Sequence, residues 1–230
     1  MTSRRRTRAG FTVIEIALVI AIIGIAAAVA IPSFMTMTAH NRVREATADV
    51  SDAFATARAQ AISTGSNVVV YFNTGLNAGS DICNNPLEDL NGDPVPILIL
   101  NDGPPGNVTA NCCIDAGDTF EVSYPVQSVG WGTQFATVPA PGDPDLALNY
   151  PNGPTFTDPN GLNIEWVLFR PDGVPVGFSD NGGPCAPGDI GSGGGALYLS
   201  NNERDNAIVL TPLGGIKVHR WERSTGVWTN

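Results

Sequence analysis

Between Ile16 and Ile31 the chain carries no polar side chain, and this run follows a short basic stretch with a single carboxylate at its threshold. The approach reads Arg8-Ala9-Gly10-Phe11-Thr12-Val13-Ile14-Glu15, and Pro32 follows the last isoleucine. A run of about 20 apolar residues spans a bilayer as one helix. Glu15 is the exceptional member. Insertion scales put an acidic side chain at mid-membrane at about 2.5–3.5 kcal/mol; near one end the cost is smaller but still calls for a cationic partner. Cleavage after Gly10 supplies one, the new α-amino group of Phe11. Two other divisions compete with this one. Ala28-Val29-Ala30 reads as the cleavage site of an ordinary export signal, although the apolar run exceeds the usual ~7–15 residues and Glu15 fits poorly there. A plain N-terminal anchor is the third reading.

The 230 residues leave enough chain beyond this segment for one domain with its own core. Arg4, Arg5, Arg6 and Arg8 lie in the first ten residues; without them, 8 Lys and Arg face 22 Asp and Glu, a net charge of −14. That balance favours solubility and opposes nonspecific phosphate binding. A basic leader before an acidic remainder also fits the positive-inside rule, with the leader cytoplasmic and the rest exported. In an exported domain the four cysteines, Cys83, Cys112, Cys113 and Cys185, point to disulfides. Neighbouring Cys112 and Cys113 would need a strained vicinal bond, so Cys83 and Cys185 are each expected to take one of them, in either order. A metal site is the rival, without CxxC spacing or a nearby histidine to support it.

Past Pro32, Val43, Ala46, Val50, Phe54, Ala57 and Ala61 recur at three- and four-residue steps, the period of a one-sided amphipathic helix, and Gly65 is placed to end it. The spacing predicts one helix from Phe11 to about Thr64, roughly 80 Å at 1.5 Å per residue, with Pro32 and Gly24 as points of bending. Strands are predicted at Val68–Phe72, Ile97–Leu100, Thr119–Tyr124, Gln134–Val138, Leu162–Phe169, Ala196–Ser200, Ala207–Thr211 and Ile216–Trp221, separated by Gly, Pro, Asn and Asp clusters. The fold class is therefore α+β, a long N-terminal helix followed by an antiparallel β-rich head.

The leader, Gly10, Phe11, Glu15 and Pro32 together resemble the class III signal of type IV pilins and type II secretion pseudopilins. The resemblance implies that a prepilin peptidase cuts after Gly10 and N-methylates Phe11. It also implies that Glu15 meets the N-terminal ammonium of a neighbouring subunit during filament assembly. Downstream, Ala57-Arg58, Ala61-Ile62 and Gly65 resemble the "ARxxAIxxG" helix end of the GspH/FimT family. Phe169-Arg170-Pro171-Asp172-Gly173 resembles its "F-x-P-x-G" turn, and Ala196–Ser200, Asn206–Thr211 and Gly214–His219 its closing strands. Leu76–Thr157 is the divergent, inserted part. The implied organisation is a leader (1–10), a membrane and filament-core helix (11–32), an amphipathic continuation (33–65) and a periplasmic head (66–230). The implied role is that of a minor pseudopilin of a type II secretion system. Its partners would be other pseudopilins or pilins, and its setting the bacterial inner membrane and a periplasmic filament.

The same family includes minor pilins implicated in DNA uptake, whose last strands carry "GRxR". Here the segment is Gly214-Gly215-Ile216-Lys217, so one of the two arginines is absent. Lys217, Arg220 and Arg223, beside Trp221 and Trp228, are the candidates for weak phosphate contact, and the acidic balance opposes it. A secreted β-domain with a cleaved signal is a further alternative. No catalytic constellation is expected: His40 and His219 stand apart from any triad or zinc spacing. Gly191-Ser192-Gly193-Gly194-Gly195 lacks the ending of a phosphate-binding loop and reads as a flexible lead into the strand at Ala196. Asp89-Leu90-Asn91-Gly92-Asp93 clusters oxygen ligands as calcium sites do, but its spacing favours a turn. No metal or cofactor is assigned.

Overall fold

The computed structural model describes residues 11–75, 79–103, 111–115, 118–125, 128–145, 148, 153–179 and 185–230. The leader, with Gly10, lies outside the described residues, as do parts of the 76–157 stretch. The chain divides into two compact units, Met1–Ala39 and His40–Asn230. One helix, α1, runs from Val13 to Thr64 and contributes to both. Pro32 lies inside it without ending it. Gly65 follows with φ of +65°, the left-handed cap expected of a glycine there.

In the second unit the helix buries Val43, Ala46, Val50, Phe54, Ala57 and Ala61, the face its periodicity predicts, together with Thr47 and Ala53. From Ala46 onward the apolar ones join the core built on the strands, with Phe54 among the largest that are fully buried. Its ring meets Phe72, Phe156 and Phe169, with centroids 5.5, 6.1 and 6.3 Å away.

Twelve strands follow among the described residues. They are β1 (Val68–Phe72), β2 (Ile97–Asn101), β3 (Thr119–Ser123), β4 (Gly130–Trp131), β5 (Trp166–Phe169), β6 (Pro175–Val176), β7 (Phe178–Ser179), β8 (Ala186–Pro187), β9 (Gly195–Ser200), β10 (Asp205–Leu210), β11 (Ile216–Glu222) and β12 (Val227–Thr229). One sheet has the order β3-β2-β1-β5-β6, a second β12-β11-β10-β9-β4, and β7 pairs with β8. The pairings are antiparallel, giving the α+β, pilin-like arrangement of one long apolar N-terminal helix with antiparallel sheets. Strands β1, β5, β9 and β10 are buried along their whole length; β1 and β5 accordingly read as continuous apolar runs rather than as alternation.

Several expectations need correcting. Gln134–Val138 is not a strand. The backbone N–H groups of Gln134, Phe135 and Ala136 donate to the buried carboxylate of Asp205, at 3.1, 2.7 and 2.7 Å, and so are withdrawn from any ladder. Only the second half of Leu162–Phe169 is strand. Leu162 N–H instead donates to Asp158 at 2.7 Å, closing a turn. The 76–157 stretch is more than an insertion, since it supplies β2, which lies between β1 and β3. The 191–195 segment is packed rather than flexible: a Cβ on Gly193 would lie 2.3 Å from the Pro175 carbonyl carbon, and one on Gly195 2.4 Å from the Phe156 ring.

Phe54→Ala should destabilise the head by about 3–5 kcal/mol, since the three surrounding rings cannot all collapse into the space left. Urea titration of both chains measures it; a loss below about 1 kcal/mol would contradict the placement of Phe54 at the centre of the core.

Candidate functional site

The start of α1 is a capping box. Thr12 precedes the first helical residue, and its hydroxyl accepts from the Glu15 N–H at 3.3 Å. The Glu15 carboxylate reaches back to the Thr12 N–H and to its hydroxyl, both at 3.3 Å. Thr-x-x-Glu at the head of an apolar helix is a recognisable sequence signature of this arrangement, and the reading of Glu15 as an assembly residue alone missed it. Glu15 therefore already has a structural task within its own chain. The apolar side chains that follow are exposed: Phe11 is 83% accessible, Ile14 79% and Ile25 70%. By length and composition this helix can cross a membrane, and the most apolar part of it is not buried within the chain.

At the other end of the sequence the expected basic patch comes apart. In β11 the side chains alternate, so Lys217 shares a face with the buried His219 and Trp221, while Arg220 lies on the opposite one. Lys217 borders a shallow groove lined also by Pro141, His219, Trp228 and Asn230. Burial, then the Lys217 charge, lowers the His219 pKa. Arg223 lies beyond the strand with its guanidinium 3.9 Å over the Phe135 ring, a cation–π contact. Trp221 and Trp228 pack on each other at 5.3 Å, and the Trp228 indole N–H donates to the Val138 carbonyl at 2.8 Å. Lys217, Arg220 and Arg223 do not form one surface.

The three stretches that carry the GspH/FimT resemblance do meet. The Arg58 guanidinium donates to the Gly214 carbonyl at 2.9 Å. Gly214 has φ of +81°, and Gly173, at φ +76°, ends the Phe169–Gly173 turn. A Cβ on Gly173 would sit 2.7 Å from Ile62 Cδ1, so glycine serves both the turn and its close approach to the helix. Helix end, turn and last-strand loop form one junction.

Both disulfides join one partner of the adjacent pair: Cys83 to Cys113 and Cys112 to Cys185, with Cα separations of 5.7 and 5.3 Å. Closing loops of 30 and 73 residues contributes about 4 kcal/mol each in the chain-entropy account. Two buried aspartates shape the loops the bonds connect. Asp81 accepts from the N–H groups of Cys83, Asn85 and Ile114 at 2.8, 2.7 and 2.8 Å. Asp102 accepts from Cys112 N–H at 2.8 Å, and Tyr71 donates its hydroxyl to the Cys112 carbonyl, fixing a residue whose φ is +61°. The Asp89–Asp93 segment is a turn of the same kind, with Asp89 accepting from the N–H groups of Asn91 and Asp93.

Two sequences of a protein named "Fimbrial protein" from Pseudomonas aeruginosa are each 45% identical to this chain over 64 residues. The match covers 28% of this chain and 41% of each relative, so the chain spans about two fifths of the curated relatives it matches. No family model matches the chain. No solved structure matches it. The long apolar helix with its antiparallel sheets, taken with this partial similarity, supports a type IV pilin-like protein.

Burial lifts the Asp102 carboxyl to about 6, opposed by its bond from Cys112. A carboxyl with a higher pKa folded than unfolded takes up a proton on folding, so its stabilising contribution is whole below about pH 4 and lost as pH rises through about 6. From about pH 4 to about pH 7 the native chain should lose about 1–2 kcal/mol relative to Asp102→Asn, allowing for solvent screening. Urea midpoints of both chains at the two pH values check this; parallel shifts would contradict it.

Proposed function

We propose that this chain is a minor pseudopilin, a non-catalytic structural subunit of the periplasmic filament of a type II secretion system. One observation carries the reading: α1 is one continuous helix whose first part, with Glu15 in its first turn, exposes its apolar side chains and whose second part packs a buried face into a disulfide-bonded β head. A surface of that apolar extent needs lipid or other apolar helices around it. Held in the inner membrane by Phe11–Pro32 and cut after Gly10, the subunit exchanges lipid contacts for neighbouring helices as it enters the filament. Extraction then exposes little apolar surface to water. Glu15 pairs with the Phe11 ammonium of a neighbour and sets the register. The junction of Arg58, Gly173 and Gly214, where the GspH/FimT-like stretches converge, supports that branch of the superfamily.

A second reading, a minor subunit of a pilus, is favoured by the "Fimbrial protein" name of the relatives. DNA uptake draws less support in either case, because Lys217 and Arg220 occupy opposite faces of β11.

The capping box makes the assembly role separable from helix formation. Gln at the third helical position can still reach back to the cap, whereas Ala cannot. Glu15→Gln and Glu15→Ala should both insert in the membrane, and both should fail to co-assemble with partner subunits when filaments are sheared and immunoblotted. Normal incorporation of Glu15→Gln would show that the charge is not needed, and would contradict the pairing with Phe11.

A further inference from the structure

Three consecutive residues of β11, Lys217, Val218 and His219, line the shallow groove at Lys217, together with Trp228 and Asn230. Side chains of consecutive strand residues point to opposite faces, so a groove that touches all three runs along the edge of the strand. The pairing leaves such an edge. β12 faces β11 only from Arg220 to Glu222, and residues 217–219 have no strand on that side among the described residues. An open strand edge offers backbone N–H and C=O groups to an extended peptide.

The groove also holds two side chains that lack partners. His219 is 5% exposed, and neither of its ring nitrogens has a partner in hydrogen-bond geometry. Burial and the Lys217 charge lower its pKa, more than the nearby Asn230 side chain and Pro141 carbonyl raise it, so the ring is neutral at pH 7. Lys217 is exposed, with no carboxylate in ion-pair distance among the described residues. Asp143, which follows the lining residue Gly142, is engaged by the hydroxyls of Thr155 and Tyr198 at 2.6 and 2.5 Å. An imidazole N–H and an ammonium on one groove both lack an acceptor, and a charged acceptor serves them best.

The count of charges indicates which acceptor. Arg220 lies on the opposite face of β11 and Arg223 is held over the Phe135 ring, so β11 and the residues after it bring one cation to the groove. One cation suits a carboxylate; a nucleic-acid backbone draws its affinity from several. At about 910 Å³ the groove is also too large for a bare ion and falls within the roughly 300–1,000 Å³ of ligand sites. We propose that it docks an extended acidic peptide segment of another protein. The Asp or Glu carboxylate of that segment is taken by Lys217 and the His219 ring, and its backbone lies along the open edge of β11. Trp228 and Pro141 supply apolar surface for the flanking residues.

The test is NMR of the full chain in dodecyl maltoside micelles with isotope-labelled histidine. The sequence has two histidines, so His40 is the internal reference for His219. The probe is the capped peptide acetyl-Thr-Val-Asp-Val-Thr-amide. It should shift the His219 ring signal saturably, with a Kd of about 1 mM or tighter, and leave that of His40 in place. Asn for Asp in the probe, or Lys217→Gln in the chain, should weaken binding roughly tenfold, while Lys217→Arg should retain it. An unmoved His219 signal, or equal binding of the Asp and Asn peptides, overturns the proposal. Acetate or inorganic phosphate matching the peptide would assign a small anion, and tighter binding of duplex DNA would assign nucleic acid; either overturns the peptide occupant.

Discussion

Everything in this chain follows from one helix that has to satisfy two surroundings. Over its first part the apolar side chains have nothing in their own chain to cover them, so lipid or other helices must do so. Over its second part only one face is apolar, and that face is covered by the head. The transition lies between Ala39 and Val43, where the first buried side chain appears. A carboxylate at the head of the apolar part is tolerable because it closes a capping box with Thr12.

The head solves a second problem. Its generous loops leave many backbone N–H groups without a ladder, and buried or turn-forming aspartates accept them. Asp81, Asp89 and Asp158 each bind the N–H groups two and four residues ahead. Asp205 binds three N–H groups of a segment about seventy residues distant. Much of the acidity that first reads as a solubility device is thus structural. Cations are few: outside the first ten residues, 8 Lys and Arg stand against 22 Asp and Glu.

Local periodicity made the helix, its buried face and its Gly65 cap legible, since each rests on neighbours in sequence. The strands Val68–Phe72, Ile97–Asn101 and Ile216–Glu222 were legible as apolar or β-branched runs. The false strand at Gln134–Val138 has the right composition, and only its long-range contact with Asp205 removes it from a sheet. Disulfide pairing was half legible: the adjacent cysteines exclude each other, but which takes Cys83 depends on the loops that Asp81 and Asp102 shape. The separation of Lys217 from Arg220 was readable in principle, because odd and even residues of a strand face opposite ways. Proximity in sequence had obscured it. Thr12 to Glu15 was readable too, as a capping signature.

The central proposal is that the mature chain begins at Phe11, two residues before α1, so that its new α-amino group is the cation proposed to pair with Glu15. Intact-mass and N-terminal peptide spectrometry of the full chain produced with a prepilin peptidase tests it directly. The account predicts loss of residues 1–10 and an N-methylated Phe11. A chain beginning at Ile31 would remove both Glu15 and the filament-core helix, and would contradict the account outright.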